Sequence, residues 1–299
     1  MGKSVRMAVG SALPLLENAR AMPDGIVIGT SNGGMEDCIK FLTQILEYNE
    51  GLLTPGNFVQ STANASAAQI ALVTKNHEYN ITHVHRGLAF ENALLDTLML
   101  LKENPDSTFL LGAVDEISEF NYNIDRLAGC FRDQPVSSFD LLDHPEKGTI
   151  AGEGSFMTII NNQKENASAE LVAVKTIHST EPQCVLACME TFLIEHTEAL
   201  KMPDLLITGE NGDVRLNDFY KTIENYFPES LPIARFKHLC GEYSTATSFA
   251  SWLASEIFIN KGISSILMKR GDIKDCRQIL IYNNFRGLQH SFILMNAVP

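Results

Sequence analysis

Apolar positions along the chain switch repeatedly between strand-like and helical spacing. Gly25-Ile-Val-Ile-Gly-Thr30 is a short apolar run ending in Ser31-Asn-Gly-Gly34, which predicts a strand and a turn. Cys38, Phe41, Leu42, Ile45 and Leu46 then recur at helical spacing until Gly51 to Pro55 breaks the stripe. Ala63 to Leu72 is rich in Ala and predicts a helix, with Ser61 or Thr62 near its cap. Ile81 to His85 has strand character. Leu88 to Leu101 is a helix apolar nearly all round, so burial on every side is expected. Ser107 to Val114 is a continuous apolar strand of the kind found in a sheet covered on both faces. Residues 118 to 147 lose periodicity, contain Pro135 and Pro145, and suggest a long loop or excursion.

The theme then repeats. Phe156 to Ile160 and Leu171 to Ile177 are strands around the turn Asn161 to Asn166, and Val185 to Ile194 is helical. Asp204-Leu-Leu-Ile-Thr208 runs into Gly209-Glu-Asn-Gly212, much as Ile26 to Thr30 runs into Ser31 to Gly34. Leu216, Phe219, Ile223 and Tyr226 mark an amphipathic helix. Thr245 to Ile259 is another, with Phe249, Trp252, Leu253 and Ile257 inward. Gln278 to Tyr282 and Ser291 to Met295 are strands around the loop Asn283 to Gln289. Two similar mixed halves around buried helices predict one domain of duplicated, layered α/β architecture, with halves at about 1–180 and 181–299.

Composition narrows the function. With 299 residues, 45% of them hydrophobic, the chain excludes disorder. Its 6 cysteines lack paired metal spacing and are too few for a disulfide scaffold, which suggests reduced thiols in a cytoplasm. Cys184 and Cys188 lie four apart on a predicted helix and are expected to fill core. The net charge of −13 opposes non-specific binding to nucleic acid or anionic lipid, while leaving room for a basic patch facing an acidic partner. No apolar run reaches the roughly 18 residues of a membrane span. Lys3, Arg6, the apolar stretch Met7 to Leu16 and Ala19-Arg-Ala21 outline a signal-peptide shape. Gly10, Ser11 and Pro14 break that stretch, so an ordinary first helix is predicted. Arg6 stands where a myristoylation motif after Met-Gly needs Ser or Thr. Gly-x-Ser-x-Gly and G-x-G-x-x-G are both absent, and Gly152-Glu-Gly154 is too short for a phosphate loop, so neither a hydrolase triad nor a nucleotide cofactor is expected.

The order of short motifs from Arg6 onward resembles the β-ketoacyl synthases of the thiolase superfamily. Gly29-Thr30 with Gly33-Gly34 is similar to the family's first strand and turn, and Asn64 with Gln69-Ile-Ala71 to its early helix. Asn80 to Gly112 resembles the strand, nucleophile turn, buried helix and following strand, and Gly112 to Glu116 resembles the end of that last strand. Gly152-Glu-Gly154 resembles the family's Gly-Glu-Gly. Phe236-Lys-His-Leu-Cys-Gly-Glu242 resembles its Thr-Lys-x-x-x-Gly-His, and Asn283-Asn-Phe285 its Asn-Ser-Phe. The resemblance implies a thiolase-like fold and acyl-thioester chemistry without a cofactor or metal. The family's opening strand, helix and strand have no counterpart, so a fold reduced at its N-terminus is expected.

The departures argue against that chemistry. The family needs a thiolate at the head of the buried helix, where the helix dipole and backbone N–H groups assist. Counting back from Gly112 puts that position at Gly87, and Val84, His85, Arg86 and Leu88 supply no cysteine either. The family's two histidines fall at Gly209 and Glu242, and only the lysine, Lys237, remains. Without a thiolate no acyl-enzyme forms, and a carboxylate at 242 alone would repel a malonyl carboxylate by roughly 4 kcal/mol at about 4 Å. Lys237 and Glu242 are expected to form a salt bridge in place of the family's site. His83 and His85 alternate, so on a strand they would share a face, either toward a relic pocket with Phe285 or in a contact. Arg86 opposes a helix dipole and is expected either to pair with Glu91, Asp115 or Glu242, or to reach solvent.

The resemblance therefore implies a non-catalytic partner subunit in fatty-acid or polyketide-type biosynthesis, like the chain-length factors. It would act as a homodimer or as a heterodimer with an active ketosynthase, with an acyl-carrier protein as a further partner. The strand near Asn80 to Val84 would extend a sheet across the two-fold axis. Finer features, Val84-His-Arg-Gly87 with Phe90-Glu91, resemble synthase-like proteins of aryl-polyene and flexirubin-type pigment clusters. Two alternatives stay open: an acyltransferase or thioesterase using His85, Lys237 or Glu242, and a scaffold with no acyl role.

Overall fold

The computed structural model describes residues 1–19, 21–51, 53–197, 202–273 and 275–298, so Arg20 of the Ala19–Ala21 site and Leu52 of the Gly51–Pro55 break lie outside it. The chain forms two compact units. The first comprises Met1–Ala128, Gly152–Asn162 and Tyr243–Ser248; the second comprises Gly129–Ala151, Gln163–Glu242 and Phe249–Pro299.

The first unit holds helix α1 (Lys3–Glu17), strand β1 (Gly25–Thr30), α2 (Met35–Glu47), α3 (Pro55–Gln60), α4 (Ala65–Thr74), β2 (Tyr79–Val84), α5 (Ala89–Glu103), β3 (Phe109–Asp115), α6 (Glu119–Leu127) and β4 (Gly154–Ile160). Its sheet runs β2-β1-β3-β4, with β1 parallel to β2 and β3, and β4 antiparallel to β3. Val5, Ala8 and Ala12 of α1 and Ala67 and Ile70 of α4 bury one face against Ile26, Ile28, Leu110 and Val114. α5 covers the other face so closely that a Cβ on Gly29 would lie 2.6 Å from the Ala89 carbonyl oxygen, which only glycine avoids. Just beyond β3, Glu116 accepts from Ser4 N at 2.8 Å and Glu36 N at 3.2 Å, so one carboxylate serves the first turns of α1 and α2.

The second unit holds β5 (Glu170–His178), α7 (Pro182–His196), β6 (Leu205–Thr208), α8 (Asn217–Glu224), β7 (Ile233–Arg235), α9 (Lys237–Cys240), β8 (Met268–Arg270), β9 (Gln278–Phe285) and β10 (Gln289–Asn296). A further helix, α10 (Thr247–Asn260), starts in the first unit and continues into the second. Its sheet runs β5-β10-β9-β6-β7-β8. Val185, Met189 and Phe192 of α7 and Phe219, Tyr220 and Ile223 of α8 pack with Leu206, Leu280, Tyr282 and Phe292. Each such side chain contributes about 1.5–3 kcal/mol on burial. β5, assigned to the first half by the division near residue 180, pairs along β10 in this sheet.

Several elements differ from the sequence reading. Residues 119–127 form α6 inside the stretch expected to be a loop, and Ser118 and Asn121 make a reciprocal capping box at its start. α5 is buried on one side only, and Met99 is 61% exposed. Trp252, expected inward, is 43% exposed. Cys188 packs against the second unit's core, but Cys184 is exposed, so only one of the pair lies against the core. Asn64, not Ser61 or Thr62, holds the α4 cap position. β9 and β10 extend to Phe285 and from Gln289, which shortens the expected loop to three residues, and Tyr226 lies beyond α8.

Candidate functional site

In the second unit the predicted positions Gly209, Lys237 and Glu242 converge. β6 ends at Thr208, and Gly209 N donates to Tyr282 O at 2.9 Å while Gly209 O accepts from the Tyr220 hydroxyl at 2.5 Å. A Cβ on Gly209 would lie 2.3 Å from Asn283 Oδ1 and 3.1 Å from Lys237 Cε, so the lysine stem runs directly past this turn. Lys237 opens α9 and is 1% exposed. Its ammonium donates to both carboxylate oxygens of Glu242 at 2.9 Å and to Asn284 O at 3.3 Å. Those three acceptors match the three protons of an ammonium. The expected ion pair is therefore present. Glu242 also accepts from Asn211 Nδ2 at 2.6 Å.

The excursion residues Gly129–Ala151 hold this site from behind. Thr149 Oγ1 donates to Asn211 O at 2.6 Å, and Glu242 N donates to Ile150 O at 2.9 Å. Asn211, Thr149 and Tyr220 were not singled out by sequence. The only signal for Asn211 was its place inside Gly209–Gly212. The repulsion expected from Glu242 treats the carboxylate as isolated, whereas Lys237 offsets its charge at hydrogen-bond distance. Phe285 ends β9 and is buried, with the Arg286 guanidinium 4.8 Å from its ring centre.

In the first unit the strand-to-helix turn that carries Gly87 is sharp. Arg86 adopts φ +48°, a left-handed conformation costing a non-glycine residue on the order of 1 kcal/mol, and Arg86–Leu88 form one 3₁₀ turn before α5. Arg86 is exposed, so of the two expectations for it the solvent-facing one holds, and among the described residues it makes no ion pair. Gly87 is buried. No residue from Val84 to Leu88 carries a thiol or hydroxyl. β2 stops at Val84, so the strand alternation does not extend to His85. His83 Nε2 lies 3.0 Å from Asp96 Oδ2 on α5, and His85 Nδ1 lies 2.7 Å from Asn92 Nδ2 one turn earlier on that helix.

In the first unit the buried acid Asp115 ends β3. Asp115 Oδ1 accepts from Thr30 Oγ1 at 3.1 Å and Ser31 N at 2.7 Å; Oδ2 accepts from Thr245 N at 3.1 Å and Thr245 Oγ1 at 2.8 Å. Burial raises its pKa to about 6, against the opposing pull of those four donors.

The chemistry available is limited. Cys240 follows Lys237 on α9, but burial pushes its thiol up to about 12, which disfavours the thiolate at pH 7. His238 is buried with Nε2 3.1 Å from Ile266 O, and burial lowers its pKa. Among the described residues no group of three or more His, Cys, Asp or Glu side chains gathers to hold a metal ion, and no helix is long and apolar enough to cross a membrane.

No protein-family model matches the sequence, and no curated protein matches it. Solved structures do match across nearly the whole chain. A β-ketoacyl synthase from Burkholderia phymatum STM815 superposes with TM-score 0.81 at 15% identity, covering 100% of this chain and 83% of that one. A ketosynthase of a type II polyketide synthase, in complex with its acyl-carrier protein and bound to the hexaketide, gives TM-score 0.80 at 12% identity, covering 99% and 86%. A ketosynthase in complex with its chain length factor from Xenorhabdus doucetiae gives TM-score 0.77 at 12% identity, covering 99% and 82%. The chain has the thiolase-like fold of the β-ketoacyl synthases.

Proposed function

We propose that this chain is a ketosynthase-like subunit without condensing activity, a chain-length-factor-like partner in polyketide or fatty-acid assembly. One observation carries the reading. Lys237, at the position resembling the synthases' lysine, has its protons engaged by Glu242 and Asn284 O rather than facing a reactant. Gly87 and Gly209 would take the places of the family's cysteine and first histidine, and Glu242 that of the second. On that assignment nothing attacks a thioester carbonyl, and no imidazole stabilises an enolate. The fold neighbours include a ketosynthase with its chain length factor and another with its acyl-carrier protein. By analogy, the partner proposed here is a cysteine-bearing ketosynthase, or a second copy of this chain, joined along the open edge of β2. An acyl-carrier protein would deliver the growing chain to that complex.

The test has two arms. Incubated with acyl and malonyl thioesters, the chain is expected to keep its intact mass and release no free thiol. Adduct formation or turnover that vanishes in His85→Ala or Glu242→Ala would establish an acyltransferase or thioesterase instead. Co-expressed with a cysteine-bearing ketosynthase from the same genome, the chain is expected to co-purify in equal amounts; a lone homodimer would favour a scaffold.

A further inference from the structure

We propose that α2 and α3 form a lid, one body hinged on the turn Ser31–Gly34 and on residues 61–64, which swings while the sheet of the first unit stays closed. The inference is independent of the acyl reading and starts from what the two helices leave unburied. α1 and α4 each commit an apolar stripe to the core, through Val5, Ala8 and Ala12 and through Ala67 and Ile70. α2 carries Ile39, Phe41, Leu42, Ile45 and Leu46, yet Asp37 is its one buried residue. α3 buries none, and Leu42, Leu46, Phe58 and Val59 are exposed. Among the described residues, neither helix supplies a side chain to the core cluster or to the layer packed on it. The burial that fixes α1 and α4 in place, about 1.5–3 kcal/mol per large apolar side chain, is therefore missing from α2 and α3.

The two helices hold each other instead. The Phe41 and Phe58 rings lie 5.1 Å apart. Gln44 Nε2 donates to Thr54 Oγ1 at 3.2 Å, and Gln44 Oε1 accepts from Thr54 N at 3.3 Å. Helices of 13 and 6 residues are marginal alone, so this pairing makes them one body. Every hydrogen bond and ion pair of the described residues from Cys38 to Val59 stays within residues 34–61. The anchors to the rest of the unit lie at the two ends. Gly33 N donates to Thr30 Oγ1 at 3.0 Å, Glu36 N to Glu116 Oε1 at 3.2 Å, and Gly2 N to Gln60 Oε1. Those ends also touch. A Cβ on Gly33 would lie 2.6 Å from Ala63 Cα, and one on Gly34 would lie 2.6 Å from the Gln60 carbonyl oxygen. Entry and exit therefore run side by side and share one axis, where Gly33 takes φ +57°.

The test is pulsed electron–electron distance measurement on the full chain with genetically encoded spin-label residues, placed two at a time. The positions are exposed ones: Leu46 and Val59 on the lid, Leu72 on α4 and Met99 on α5. The pair Leu46 and Leu72, which spans the hinge, is expected to give a distance distribution about twice as wide as either control pair. The controls are Leu46 with Val59 inside the lid and Leu72 with Met99 outside it. A hinge-spanning distribution as narrow as that of Leu72 with Met99 overturns the proposal, because α2 and α3 would then be fixed to the body. A distribution for Leu46 with Val59 as wide as the hinge-spanning one overturns it too, because the two helices would then separate rather than swing together.

Discussion

Asp115 in the first unit and Glu242 in the second are two acids held in opposite ways. Asp115 in the first unit is surrounded by neutral donors: two threonine hydroxyls and two backbone N–H groups. Glu242 in the second unit faces the Lys237 ammonium and one amide. Four hydrogen bonds do not keep Asp115 at an ordinary carboxylate pKa, because they place no opposite charge beside it and burial dominates. A buried acid with a cation becomes a structural pair whose halves depend on each other, and an acid with dipoles alone becomes a titrating group.

That contrast can be broken experimentally, starting with the largest effect. Lys237→Met would leave Glu242 without its cation, and urea unfolding is expected to register a loss of about 3–5 kcal/mol. Adding Glu242→Leu to that variant should recover most of the loss, since the charge that needed a partner is gone. The titrating side of the contrast appears in pH. Asp115 rises from 3.8 to about 6 on folding, so between those values the folded chain holds more protons than the unfolded one. Its contribution to stability therefore falls as pH rises through this window, by about 3 kcal/mol, and is level above it. Asp115→Asn is expected to remove that contribution, so that stability between pH 4 and 7 rises with pH relative to the parent chain.

His290 sharpens the comparison with the opposite sign. It lies on β10, with Nδ1 3.1 Å from the Tyr282 hydroxyl and Nε2 2.9 Å from Ser179 O, and burial lowers its pKa to about 4. Between about 4 and 6.5 the unfolded chain holds the extra proton. Stability from this group is thus lost as pH falls from 6.5 to 4, again by about 3 kcal/mol. The two contributions nearly cancel in the native protein. Asp115→Asn should unmask the histidine slope and His290→Gln the aspartate slope. The smallest effect is local: Ser118→Ala removes the α6 capping box and should cost about 1 kcal/mol by urea midpoint, without altering either pH slope.

Most strands were legible because continuous apolar runs such as Phe109–Asp115 leave few alternatives, whereas the three-residue strands β7 and β8 are too short to show a pattern. α6 was missed although Phe120, Ile124 and Leu127 recur at helical spacing behind the cap residue Ser118, because the surrounding stretch is polar and those apolar side chains are exposed rather than part of a core. At the candidate site, the resemblance of Phe236–Glu242 to the synthases' Thr-Lys-x-x-x-Gly-His made the Lys237–Glu242 pair readable. Asn211 reaches that pair from a distant segment and Thr149 holds Asn211 in turn, so no local spacing encodes them. Arg86 shows the same limit in backbone form, since only the tight joint between β2 and α5 explains its left-handed φ.

The bonds from Thr245 to Asp115 also set an order of events during synthesis. Residues 243–248 belong to the first unit but are made more than a hundred positions after the strand they complete. A ribosome that has released only the N-terminal half holds a sheet whose buried acid lacks half its donors. That unit finishes last although it begins first, so a fragment ending before residue 243 should fold incompletely however intact its strands are.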